Sequence, residues 1–166
     1  MIVIAYDGSH DAKTAIEQAG ELFPGESATV LTVWRRFLDT MAHVGGGMGM
    51  AVDYAVIDKD SEADAEKRAT EGAELARTAG LNATPRTSVV ESSVANAILA
   101  EAAAVSARAI VCGSRGLTGL KSLLLGSVSH HLVQHADRPV IVIPSPATAR
   151  ARAEHRAGQA VGEPVT

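Results

Sequence analysis

Short apolar runs alternate with segments of helical period along most of this chain. IVIAY (2–6) and ATVLTVW (28–34) are the first two runs, AIVC (109–112) and PVIVIP (139–144) the last two, and TSVV (87–90) is a weaker, more polar one. Continuous apolar runs of this length predict strands covered on both faces, the habit of parallel sheets. Between them, Ala12, Ala15, Ile16, Ala19 and Phe23 form one stripe at helical spacing, with Ser9 placed to cap its start. A small-residue stripe follows over 60–79: Ala65, Ala69, Gly72, Ala76 and Ala79. Val94, Ile98, Ala102 and Val105 make the third, and Val128, Leu132 and Ala136 the fourth.

The order is β-α-β-loop-α-β-α-β-loop-α-β. Strands alternating with helices imply right-handed crossovers and a parallel sheet with helices on both faces, a doubly wound α/β domain. Two segments break the rhythm. Residues 35–57 hold four glycines within five positions, expected as a mobile excursion. Residues 147–166, rich in Ala, Arg and Gly, show no sustained period and are expected to be a disordered tail behind a domain at 1–146.

Composition narrows the function. The chain of 166 residues is long enough for one domain with a substantial core; 46% of it is hydrophobic but only 3% aromatic, so that core is aliphatic. A formal net charge of −4 argues against nucleic-acid or anionic-membrane partners, which reward basic surfaces. One cysteine, Cys112, permits no internal disulfide and fits a reducing compartment. The opening MIVIAYDG lacks a basic leader and no apolar run is long enough to span a membrane, so a cytoplasmic location is the expectation.

Ligands of open doubly wound sheets bind beyond the carboxyl ends of the strands, where successive connections leave in opposite directions. If the first and fourth strands are neighbours, the turns YDGSHD and GSRGLTGLKSLLLGS meet there. Gly113 and Gly116 allow sharp turning and close approach to a ligand. Gly126 and Ser127 open the last helix, with Ser127 expected as its cap, and the first-turn N–H groups of Ser127, Val128 and Ser129 converge on one spot that suits an anion. Each hydrogen bond to a phosphate adds about 1.5–3 kcal/mol, against the roughly 8 kcal/mol net of a micromolar ligand. Three or four such bonds with some base burial reach that range. A glycine-rich loop after a strand is also often a plain turn. Lys121-Ser122 does not complete a P-loop, because Leu120 stands where that motif needs glycine.

Gly113-x2-Gly116-x9-Gly126-Ser127, followed by VSHHLVQHADRPVIVIP, resembles the ATP-binding branch of the universal stress proteins, and IVIAYDGS resembles that family's opening strand and turn. The resemblance covers roughly residues 1–144. It implies an adenine-nucleotide alpha-hydrolase-like fold with a five-stranded parallel sheet in the order 3-2-1-4-5, and a homodimer paired through the last strand, 139–143. It further implies ATP, with Mg²⁺, held by residues of the two turns. Tyr6, Asp7 and Gly8 would lie at the adenosine part and the Val33 backbone near adenine. Gly113 and Gly116 would approach ribose and phosphates, and Gly126, Ser127, Val128 and Ser129 the phosphate chain. Cys112 and Arg115 line the same loop; Arg115 is placed either on phosphate or in solvent, and Asp7 either near the adenosine or toward a phosphate-bound Mg²⁺. The dimer has support outside the resemblance, since an open apolar edge strand is an aggregation liability until covered; the chain's own tail is the other cover.

Three functions follow: a nucleotide-binding dimer of stress response or signalling, a slow ATPase or phosphoryl-transfer enzyme, and a nucleotide-free interaction module. No base with a supporting partner is evident, so at most slow hydrolysis is expected. His131 and His135 have a zinc-capable spacing without further ligands, and His135 is expected buried and hydrogen-bonded. Trp34 closes the second strand, near adenine or as a half-buried edge. The Met/Gly-rich stretch 41–50 reads as a lid or as plain flexibility.

Overall fold

The computed structural model describes residues 1–37, 54–117 and 125–160. Strand β1 (Ile2–Ala5) leads to helix α1 (His10–Leu22), β2 (Ser27–Trp34), α2 (Tyr54–Thr78), β3 (Asn82–Val89), α3 (Val94–Ala104), β4 (Ile110–Gly113), α4 (Ser127–His135), β5 (Val140–Ile143) and α5 (Pro146–Ala160). All strands are parallel in one sheet of order β3-β2-β1-β4-β5, as expected.

Strand alternation sorts the core into two layers. Ile2, Ile4, Val30 and Val111 face α1 and α2, meeting Ala15, Ile16, Ala19, Ala73 and Ala76. Val3, Leu31, Ile110 and Cys112 face α3 and α4, meeting Ala95, Ile98, Ala102 and Leu132. Small residues on the helices let them lie close to the sheet. Gly72 is the extreme case: a Cβ there would stand 2.7 Å from the Tyr6 ring and 2.8 Å from Val30. The helix ends are satisfied locally. Ser9 accepts the Ala12 N–H at 3.3 Å, and Ser93 accepts that of Asn96 at 3.0 Å. Past the end of α3, the Arg138 guanidinium donates to the carbonyls of Ala102 and Ala107 at 2.6 and 2.7 Å, the favourable place for a cation.

Three elements depart from the sequence reading. Strand β3 starts at Asn82, five residues before the apolar TSVV begins. It lies at a sheet edge, so polar residues and Pro85 are tolerated there and leave little apolar signal. Helix α2 starts at Tyr54, so 54–57 are helical; of the rest of the expected excursion, 35–37 are described directly after β2 and 38–53 lie outside the described residues, as do 118–124 with Lys121 and Ser122. The expected disordered tail instead carries α5 as far as Ala160. Ser145 accepts the Thr148 N–H at 3.4 Å and Pro146 takes the first helical position, a start signal with no apolar period behind it.

Among the described residues no helix is long and apolar enough to cross a membrane.

Candidate functional site

The register of the sheet builds the floor of a crevice. Ala5 is aligned with Leu31 on one side and Cys112 on the other, so three strands present one row of side chains near their carboxyl ends. Strand β2 runs on to Trp34, past the end of β1, and Val33 on this extension lines one wall. The start of α3 supplies the opposite wall with Val94 and Ile98. The resulting cavity has a volume of about 470 Å³, within the size range of small-molecule sites.

Its far end is polar. Gly126 caps α4 in an extended conformation (φ −65°, ψ 158°) with no side-chain cap bond, so Ser127 is the first helical residue and not the cap the sequence suggested. The first intrahelical bond runs from the His130 N–H to the Gly126 carbonyl, 2.9 Å. The three preceding amides, Ser127 to Ser129, therefore have no acceptor in their own helix and form the positive end of its dipole. The Ser129 hydroxyl turns inward, donating to the carbonyls of Ser114 (3.1 Å) and Gly126 (3.0 Å), and the Gly126 N–H also donates to the Ser114 carbonyl, 2.8 Å. These bonds tie the helix start to the end of β4. Arg115, half-buried, lines the cavity beside it.

Asp7 joins the two turns. One carboxylate oxygen accepts the Ser9 N–H at 2.9 Å and the other accepts the Leu117 N–H at 3.2 Å. A Cβ at Gly116 would stand 2.7 Å from that second oxygen, so a side chain there would have to displace the carboxylate. At Gly113 the close neighbour is not the cavity: its Cβ would meet the backbone of Asp11 and Ala12 at 2.8 and 2.9 Å, where α1 crosses over β4. The Ser114 hydroxyl fastens the same crossing, donating to the buried Asp11 carboxylate at 2.8 Å.

Eleven of the twelve expected site residues border this cavity: Tyr6, Asp7, Val33, Cys112, Gly113, Arg115, Gly116, Gly126, Ser127, Val128 and Ser129. Gly8 does not; at φ +83° it makes the turn that lets the chain enter α1. Tyr6 is 2% exposed, and its ring packs in the α1/α2 layer with the hydroxyl donating to Glu71 at 3.0 Å. The floor and walls from Leu31, Val94 and Ile98, and Arg35 at the rim, were not anticipated. The strand order would have signalled the α3 residues, since a helix after β3 must return over β2 and β1 to reach β4. Trp34 is half-buried and is not among the lining residues.

Burial pushes the Cys112 thiol from 9.0 up to about 12, and burial with the Glu71 hydrogen bond raises Tyr6 as well. Both favour the neutral, protonated form in the folded chain, so their contribution is present at neutral pH and is lost as pH climbs past the unfolded value. Between pH 9 and 11 the wild type is expected to lose roughly 1 kcal/mol per pH unit more than Cys112→Ala. Urea titrations of both proteins at pH 8, 9, 10 and 11 check this; parallel losses would refute it. The histidine pair takes another arrangement than expected. His135 is exposed, its Nδ1 3.0 Å from the His131 carbonyl oxygen, and its ring stacks on His131 at 4.1 Å. Two residues past the apolar Val133, itself 54% exposed, the helix end is simply not covered.

Among the described residues no three His, Cys, Asp or Glu side chains gather to hold a metal ion. Asp7 is the one carboxylate among the lining residues of the cavity. The donor set fits a divalent ion carried in by phosphate groups and met by Asp7, not an ion held by protein alone.

A parallel sheet of this order, with a crevice where β1 and β4 part, defines an α/β protein of the adenine-nucleotide alpha-hydrolase-like class. The chain belongs to the universal stress protein family, whose family model matches residues 1–144. It is 29% identical over 145 residues to the universal stress protein YxiE of Bacillus subtilis, covering 86% of this chain and 97% of that one. Among solved structures, a universal stress protein of Archaeoglobus fulgidus in complex with dAMP superposes with a TM-score of 0.53 at 22% identity, over 86% of this chain and 95% of that chain. A family protein of Arabidopsis thaliana with AMP bound gives 0.60 at 17% identity, over 88% and 92%.

Proposed function

We propose that this chain binds an adenine nucleotide, ATP with Mg²⁺, in the crevice between the turns after β1 and β4, and acts as a dimeric stress-response or signalling protein. The observation that carries the reading is the two-ended cavity: an apolar slot of Ala5, Leu31, Val33, Val94 and Ile98 leads to the first-turn amides of α4, which have no acceptor in their own helix. A flat apolar base suits the slot, and an anion suits the helix start. The adenylates bound by the Archaeoglobus and Arabidopsis relatives point the same way. Val33 and Ile98 would enclose the base, and Arg115 with the amides of Ser127, Val128 and Ser129 would take the phosphates.

Binding is favoured over turnover because Asp7, the carboxylate of the lining, already accepts two backbone N–H groups and has, among the described residues, no side-chain partner that would make it a general base. The dimer would form by two-fold pairing of β5, whose outer edge meets no other strand among the described residues.

A ligand specific for the folded state stabilises it by about 2.7 kcal/mol at a hundredfold excess over Kd. For a domain of this size that is a rise in melting temperature of about 5–10 °C. Thermal unfolding with and without Mg-ATP measures it. No rise at millimolar nucleotide, with no uptake in equilibrium dialysis, would reject the reading in favour of a nucleotide-free module.

A further inference from the structure

The sheet has two edges, β3 and β5, and their backbones differ. At the start of β3 the Asn82 N–H donates inward to the Glu26 carbonyl at 2.9 Å, and past its end the Val90 N–H donates to the Trp34 carbonyl at 2.8 Å. The register with β2 is unbroken between them, from Asn82 opposite Ser27 to Val89 opposite Trp34. In a parallel ladder the residues bonded to the neighbour alternate with residues whose N–H and C=O groups point away. Ala83, Pro85, Thr87 and Val89 therefore carry the outward groups of this edge. The Ala83 carbonyl is already taken, by the Arg77 Nε–H from the last turn of α2 at 2.9 Å. Pro85 has no N–H to offer. These two groups are consecutive along the edge. A strand laid parallel to β3 would bring one residue opposite Thr84, and that residue would need both of them. An antiparallel strand would meet half a bonding pair at 83 and half at 85. The next cation, Arg86, is turned to the α3 face, where Glu101 holds it at 2.7 Å.

We infer that Arg77 and Pro85 close the β3 edge to strand pairing with a second copy of this chain, and so leave β5 as the one edge of the sheet open to it. Both side chains are exposed, so the core does not require either residue at its position. The need to close one edge is geometric. An edge that pairs about a two-fold axis is satisfied by one partner copy, and assembly stops there. A sheet with two such edges continues into an open-ended ribbon, the hazard that proline and charged side chains at an edge avert. The VIVI run of β5 contains neither. Nucleotide binding plays no part in this.

The experiment is sedimentation of the full chain over a range of concentrations, with far-ultraviolet circular dichroism to confirm folding. Pro85→Thr combined with Arg77→Met restores the donor and frees the carbonyl. Its weight-average mass is expected to reach at least about twice that of the wild type and to climb with concentration. Thr84→Val favours a strand at an exposed neighbouring position but frees no backbone group, so it should keep the wild-type mass. Adding Val142→Pro to the double variant blocks β5 and should leave association through β3 in place. A folded double variant of wild-type mass would overturn the inference, as would equal growth in Thr84→Val or a monomeric triple variant. Pro85→Ala with Arg77→Met replaces the threonine form if that does not fold, and is judged by the same ratio. A monomeric wild type would remove the β5 dimer alone, since the double variant would still be read against it.

Discussion

Replacing Gly113 with valine is expected to destabilise the fold by about 3 kcal/mol or more, the upper end for side chains forced into packed interiors. Even the Cβ would lie 2.8 Å from the Asp11 carbonyl carbon and 2.9 Å from the Ala12 nitrogen, and both are backbone atoms that no rotamer change can move. The α1–β4 crossing also holds the buried Ser114–Asp11 hydrogen bond, so relief by shifting the helix breaks a second contact. Gly25 is the control. It sits at φ +73° with nothing within 4 Å of its Cβ, so Gly25→Ala meets only the backbone penalty of about 1 kcal/mol. Urea unfolding of both variants, read at unchanged m-value, separates steric from conformational cost. A Gly113→Val protein as stable as the Gly25→Ala one would contradict the crossing geometry.

The second large effect concerns the open edge. The carbonyls of Pro139, just before β5, and of Ile143 accept from Ile110 of β4 and from Ser114 just after it, at 2.9 and 2.8 Å. In a parallel ladder the residues so bonded alternate with residues whose N–H and C=O groups point the other way. Val140 and Val142 therefore present their backbone groups outward, to whatever covers the edge. Val142→Pro removes an outward donor and no intramolecular ladder bond, a substitution edge strands tolerate. If two copies pair here, this variant is expected to sediment as a monomer at concentrations where the wild type is a dimer, while keeping its far-ultraviolet circular dichroism. A dimer that persists in Val142→Pro would place the two-fold contact elsewhere, and a monomeric wild type would dismiss it.

Legibility followed burial. Strands β1, β2 and β4 announced themselves through runs such as IVIA, because side chains covered on both faces must all be apolar, and β5 is as apolar although half-buried at an edge. Strand β3, at an edge and broken by Pro85, left only its last residues in view. Helix α5 was invisible to a periodicity argument: its alanines and arginines favour a helix by propensity without marking an apolar face, and Ser145-Pro146 was the sole start signal. At the site, glycine spacing located the loop but not the protein contact that each glycine also makes. Gly113 is constrained by α1 and Gly116 by Asp7, contacts between segments about a hundred residues apart that no local pattern encodes. The Ser129 hydroxyl likewise faces the protein because Ser114 offers it a carbonyl. The slot walls at Val94 and Ile98 depended on topology, and became readable only once strand order was fixed.

The aligned row of Ala5, Leu31 and Cys112 means that the depth of the crevice is graduated in methyl groups. Alanine at the central rung leaves the bottom of the slot one short side chain above the sheet. A valine or leucine there would raise the floor and leave the rim, the loop and the helix start as they are. The thickness of any group lying on that floor would thus be set by a single strand position.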